Sequence, residues 1–269
     1  MVHARPRPLL ALCLVGALLL GATGCGNDKS AAIKSLADLK GKTIGVQTGT
    51  TGETYAKKHK PEGATIKSFE DTTGLFGALE SGDIQAILQD LPVNAGRVAD
   101  DDSVAVVETY PTDEQYGFAV EKDNSLVGDL NDALATVKKD GTYDLLYAKY
   151  FPKDGDKAGP GPKASSVKGA KTLKVCSDIP YAPMEMEGKG PRGLAYTGFD
   201  IELMDAMAAT MDAKLEILDV GFDGILGNLA AGKCDVVASS LTITDERAKE
   251  VDFTDPYFDA DQSLLVKVG

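Results

Sequence analysis

The chain has 269 residues, 41 of them acidic and 28 basic, for a formal charge of −13. That length supports two lobes with separate cores, and the acid excess argues against nucleic acid as a partner. With only two histidines, His3 and His59, a histidine zinc site or a histidine-based triad has almost no material, so no metal, cofactor or catalytic residue is expected.

Residues 1–24 read as a secretory leader. Arg5 and Arg7 form a basic start, 9–20 is an apolar run too short to cross a bilayer comfortably, and small residues follow. Ala22-Thr23-Gly24-Cys25 resembles a bacterial lipoprotein signal, which implies that Cys25 is acylated and anchors the protein to the outer face of the membrane or in the periplasm. Residues 25–35 then form a polar tether.

From there strands and helices alternate. A short helix over 36–39 leads to a strand over 43–46. The Gly/Thr turn 47–53 opens a helix over 51–58; it lacks the lysine of a phosphate-binding P-loop, but its amides at Thr50 and Thr51 can face an anion. A strand over 66–69, a helix over 73–80 and a strand over 86–89 follow, so the sheet is mainly parallel. Asp90 sits just past a strand's carboxyl end, where open α/β sheets bind ligands. It can pair with an ammonium there, or simply cap the helix that Pro92 begins. Next come a strand over 115–120, helices over 125–139 and 143–150, and a Lys/Gly/Pro-rich linker over 153–170.

The second half begins with a strand over 173–176, tipped by Ser177, Asp178 and Tyr181. A helix over 200–211, a strand over 215–218 and a helix over 224–231 follow, the last preceded by Phe222. The stretch 234–247, CDVVASSLTITDER, runs as a buried strand into hydroxyls, Ser239, Ser240 and Thr242. Thr244 then reads as the N-cap of a helix carrying Arg247 at its third position. Hydroxyls, amides and a guanidinium converging on a strand's end suit a small carboxylate, although an ordinary strand-to-helix turn has the same outline. The final strand is expected over 264–267. Cys176 and Cys234 lie on buried strands in a compartment that allows a disulfide, and packing as free thiols stays equally open.

Residues 79–90 and 229–240 echo each other: helix end, Gly turn, buried strand, polar tip. These residues carry a resemblance. The segments 176–185 (CSDIPYAPME), 198–201 (GFDI), 239–247 (SSLTITDER), 252–257 (DFTDPY) and 39–51 (LKGKTIGVQTGTT) resemble the polar amino-acid solute-binding proteins of bacterial ABC importers. The resemblance implies a two-lobed α/β fold of the type II periplasmic-binding-protein kind, closing on a free amino acid. It implies that Arg247 clamps the α-carboxylate with Thr242 and the Thr50 and Thr51 amides. Asp90 would hold the α-ammonium with Ser240 and Thr242. Tyr181 and Phe222 would sandwich the side chain, with Ser177, Asp178 and Ser239 nearby. Met184 stands where that family favours Phe, and Gly52 where a polar residue is common.

The segment order departs from the family. The piece resembling its start comes last, so the chain reads as circularly permuted. Residues 36–119 would form one lobe, 171–269 the other, and 120–152 helices completing the latter. Residues 153–170 would join the family's usual ends, leaving a single covalent crossing near 116–122 and Ile33 beside Gly269. The expected role is a monomeric, lipid-anchored binding protein delivering an amino acid to the permease of an ABC importer. Two rivals stand beside it: a binding subunit for a membrane sensor, and a dehydratase-like enzyme with Glu185 as acid.

Overall fold

The computed structural model describes residues 32–153 and 156–268. The leader, Cys25, the tether up to residue 31 and Gly269 lie outside the described residues. After a 3-10 turn at Leu36–Leu39, the expected alternation appears: β1 (Thr43–Gln47), α1 (Thr51–His59), β2 (Thr65–Phe69), α2 (Thr72–Ser81), β3 (Ala86–Asp90) and α3 (Leu91–Asp100). Local chemistry sets the boundaries. Asp71 caps α2 by accepting from the Gly74 amide at 2.7 Å, and Gly82 closes the helix at φ 84°.

Then come β4 (Val104–Tyr116), β5 (Ala119–Glu121), α4 (Leu126–Lys139) and α5 (Thr142–Tyr150). The second half supplies β6 (Thr172–Ser177), β7 (Met186–Glu187), β8 (Tyr196–Thr197), α6 (Phe199–Thr210), β9 (Lys214–Asp219), α7 (Ile225–Ala230), β10 (Val236–Val237), β11 (Val251–Phe253) and β12 (Phe258–Lys267).

The strands form two five-stranded sheets, ordered β2-β1-β3-β12-β4 and β11-β5-β10-β6-β9. In the first, β1, β2 and β3 run parallel and β12 is antiparallel to both neighbours. Its inner strands β1, β3 and β12 are largely buried, whereas the edge strands β2 and β4 are partly exposed. Along β3, Ala86 and Leu88 enter one core with Ile44 and Val46, and Ile87 enters the opposite core with Leu75 and Leu79. β12 repeats the period of two, with Leu264 and Val266 on the first face and Leu265 on the second. The second sheet is covered by α4, α5 and α6 through Leu130, Leu134, Leu146, Phe199 and Leu203. α7 covers its other face through Ile225 and Leu229. Cys176 and Cys234 are joined as a disulfide across that face, closing a separation of 58 residues, a constraint worth about 4 kcal/mol in the chain-entropy view.

Three expectations change. β12 begins at Phe258, six residues before the expected strand, and pairs with β3 and β4. The C-terminal segment therefore does not stay in the second lobe over 171–269. It leaves that lobe after β11 and enters the first sheet, so two covalent segments cross between the sheets, 116–119 and 253–258. The early part of β12, Asp259 to Ser263, is polar apart from Ala260, so it lacks the apolar run that marks Leu264 to Val266. Secondly, β4 is a 13-residue edge strand of which only its last residues were expected, because Pro111 and four acidic or amide side chains break its pattern. Thirdly, Arg247 opens a three-residue 3-10 turn, Arg247–Lys249, with no α-helix behind it. Glu246, not Thr244, holds the N-cap position of that turn, although Thr244 Oγ1 accepts from the Arg247 amide at 3.1 Å. Ile33 packs against the core that holds Leu264 and Val266.

Candidate functional site

The carboxyl ends of β1, β3, β6 and β10 converge on one cavity between the two sheets, where open α/β folds place their ligands. It contains about 290 Å³ of space not filled by atoms, part of it open to solvent, and is lined by Gln47, Thr50, Thr51, Asp90, Asp178, Tyr181, Phe222, Ser239, Ser240, Thr242 and Arg247. Ten of the eleven expected binding residues are in that lining.

Asp90 is the informative one. It occupies the N-cap position of α3, yet its side chain makes no capping bond. Its carboxylate turns instead toward the cavity floor. Oδ2 accepts a short hydrogen bond from the Tyr116 hydroxyl and Oδ1 accepts from Gln262 Nε2 at 2.5 Å. Burial, then the neighbouring Glu114, push its pKa up to about 6, against the lowering effect of the Tyr116, Gln262 and Tyr181 donors. A carboxylate so placed gains from a cation brought against it.

Arg247 stands on the opposite wall. Its Nη1 donates to the Thr242 carbonyl at 2.8 Å and its Nη2 to the Gly49 carbonyl at 3.1 Å, while the guanidinium lies 5.4 Å over the Phe222 ring. Those contacts fix the guanidinium and tie the β10 side to the turn before α1. Burial lowers its pKa, opposed by Asp90 and Glu114, but a guanidinium stays charged. The two poles, one acidic and one basic, suit a zwitterion.

The hydroxyls are mostly committed. Thr50 Oγ1 accepts from the Glu53 amide at 3.0 Å, so it caps α1. Thr51 and Thr242 both donate to Glu114 Oε2, at 2.6 and 2.8 Å. Ser239 Oγ accepts from the Asp178 amide at 3.0 Å. Asp178 Oδ2 accepts from Gln47 Nε2 at 2.6 Å, linking the two sheets across the cavity, and burial raises its pKa to about 6.

Ser177 is the exception among the expected residues. Its hydroxyl donates to the Ala238 carbonyl at 2.6 Å and it is absent from the lining. It braces β6 against the end of β10 and cannot also reach into the cavity. Met184 and Glu185 are fully buried away from the lining, Met184 in the aromatic core beside Phe199 and Glu185 behind Ser240. Gly52 is required by close packing: a Cβ there would lie 2.9 Å from Gln262 Oε1 and 3.1 Å from the Leu88 carbonyl. Sequence reasoning missed Gln47, Glu114 and Gln262. Gln47 ends β1 as Asp90 ends β3, so the strand-end rule that found Asp90 applies to it equally. Glu114 and Gln262 lie on β4 and early β12, whose polar stretches gave no strand signal.

The model of the bacterial extracellular solute-binding proteins, family 3, matches residues 173–269. A probable histidine-binding protein of Neisseria gonorrhoeae is 37% identical over 107 residues, which is 39% of this chain and 38% of that protein. ABC transporter arginine-binding protein 1 of Escherichia coli (strain K12) is 36% identical over 130 residues, 46% of this chain and 53% of that protein. The chain thus spans about half or less of the curated relatives it matches. Among solved structures, the arginine-bound form of domain 1 from TmArgBP is 33% identical over 38% of this chain and 85% of that one, at a TM-score of 0.31.

Proposed function

Residues 173–269 match the bacterial extracellular solute-binding proteins of family 3, and from that premise we propose that the chain belongs to this family, captures a free L-amino acid between its two sheets and delivers it to an ABC importer. The observation that carries this is Asp90, a helix-capping residue by position whose carboxylate is spent on the cavity. With Arg247 opposite, it gives the cavity one pole for an α-ammonium and one for an α-carboxylate. Tyr181 and Phe222 form the walls, and Asp178 with Gln47 faces the side chain. Once Asp90 and Arg247 have taken the α-groups, Asp178 and the nearby Glu114 leave the site net negative. That balance favours a cationic side chain such as that of arginine or lysine over a neutral or acidic one.

Native mass spectrometry of protein purified without denaturation tests this. A retained mass matching a basic amino acid is the expected result. A protein that neither carries nor takes up any amino acid contradicts the proposal.

Anchoring through Cys25 belongs to the same proposal. Cys25→Ser is expected to release the protein from membranes with unchanged affinity, and a variant that stays membrane-bound contradicts it. The segment order is part of it too: β1–α5 precede the matched segment 173–269, and the residues between α5 and β6 are rich in Gly, Pro and Lys. We read this as a circular permutation. Joining the end of β12 to Ile33 through a short Gly/Ser linker, and reopening the chain between Pro160 and Ser166, should give a folded protein with the same ligand. A folded product that binds nothing contradicts it.

A further inference from the structure

Behind Ser240, outside the cavity, two carboxyl groups face each other with no cation between them. Glu185 and Asp200 are both 0% exposed. Neither takes part in an ion pair among the described residues, and both are held on one residue: Ser240 donates its amide to Asp200 and its hydroxyl to Glu185. Two fully buried carboxyl groups that share one neighbour and have no cation are costly to keep both ionised, which favours one of them as a carboxylic acid.

The neighbours decide which. Asp200 Oδ2 accepts from the Tyr257 hydroxyl at 2.6 Å and from the Ser240 amide at 2.8 Å, bonds that stabilise an ionised carboxylate. Asp200 Oδ1 is buried and meets no N–H or O–H donor among the described residues. Glu185 accepts from one hydroxyl, Ser240 Oγ, at 3.1 Å to Oε1. The other titratable groups facing it are Asp178, Tyr181 and Tyr257, none of which brings positive charge.

We infer that Glu185 is a carboxylic acid donating its proton to Asp200 Oδ1, and that this pair positions Ser240 in the cavity wall. Ser240 has φ 47°, a left-handed conformation that a serine adopts only when its surroundings impose it. Its amide is held by Asp200 and its hydroxyl by Glu185, so both anchors come from the one proton-sharing pair. Glu185 and Asp200 are therefore positioning residues. The effect on ligand rests on the proposed amino-acid site, whereas the proton itself does not.

Burial, then Asp200, push the Glu185 pKa well above its ordinary 4.5. A raised folded value means the contribution to stability is fully present below 4.5 and is lost as pH rises through the folded value.

Infrared spectroscopy on the full chain tests the proton directly. Well above pH 6, the carboxyls of Asp90, Asp178 and Asp205, each raised to about 6, have ionised. The wild-type protein should then retain a carboxylic-acid C=O band, absent from Glu185→Gln. That amide keeps the donor, so it should also remove one proton's worth of pH dependence, up to about tenfold in the unfolding constant per pH unit. Absence of the band from wild type, or its persistence in the Gln variant, overturns the proton assignment, and the wild-type spectrum decides even if the variant does not fold. With L-arginine as probe, Glu185→Gln should bind within a few-fold of wild type and Glu185→Leu more than tenfold weaker. Equal affinity of the two variants overturns the positioning of Ser240. A wild type that shows the band but ignores arginine and other amino acids contradicts the binding function and leaves the proton assignment standing.

Discussion

Arg247→Ala is expected to weaken amino-acid binding by about 2–5 kcal/mol, roughly 30- to 5,000-fold, the range seen when one partner of a buried charge pair is removed. Two effects add. The ligand carboxylate loses its only guanidinium in the cavity lining, and the bridge from Arg247 to the Gly49 carbonyl, which joins the two sheets, is lost as well. Gln47 to Asp178 at 2.6 Å and Thr72 to the Pro180 carbonyl at 2.6 Å are two other such bridges. Calorimetric titration with L-arginine checks the variant, and an affinity within about threefold of wild type would show that Arg247 is a solvated turn residue.

Asp90→Asn should be nearly as damaging, and in a way that identifies the group Asp90 reads. An amide cannot neutralise a buried ammonium, so affinity for arginine should fall much further than affinity for its des-amino analogue. Equal losses for the two would mean that Asp90 serves only the protein's own framework of Tyr116 and Gln262. The pH dependence follows from the same residue. Because burial and Glu114 raise the Asp90 pKa to about 6, the carboxylate that binds the ammonium is lost below that value. Affinity should decline by up to about tenfold per pH unit there, and the Asp90→Asn variant should lack that contribution. For the ligand-free protein the sign is opposite. The stabilising effect of a protonated Asp90 is full below its ordinary 3.8 and lost as pH rises through about 6. Near neutral pH, Asp90→Asn should thus be at least as stable as wild type while binding poorly.

Much of this site was legible because it lies at strand ends. Buried runs such as 86–89 and 236–238 mark parallel strands. Whatever polar residue follows such a run must face the sheet's carboxyl edge, which put Asp90, Asp178, Ser239 and Ser240 together before any fold was known. Residues whose identity serves packing were harder. Ser177 has the same local signature as Ser239, and only the geometry of β6 against β10 turns its hydroxyl inward to the Ala238 carbonyl. The crossing of β12 was misjudged for a related reason. Phe258 to Ser263 spans two environments, an aromatic cluster with Tyr116 and Phe151 at one end and a polar bridge to Asp90 at the other. β12 pairs with β4 along its length and gains β3 only over Gln262–Leu265, so its side chains change surroundings along the strand. Glu114 had no local signal, since its role comes from the distant Thr51, Thr242 and Gln262 that it anchors.

The central claim is that Arg247 and Asp90 read the two α-groups of one amino acid. Calorimetric titration of the wild-type chain with L-arginine and, in parallel, with agmatine, its decarboxylated counterpart, tests it most directly. Tight, stoichiometric binding of arginine with agmatine weaker by about 30-fold or more, the loss of one buried charge pair, is the predicted result. Agmatine binding as tightly as arginine, or no heat with any basic amino acid, would contradict it.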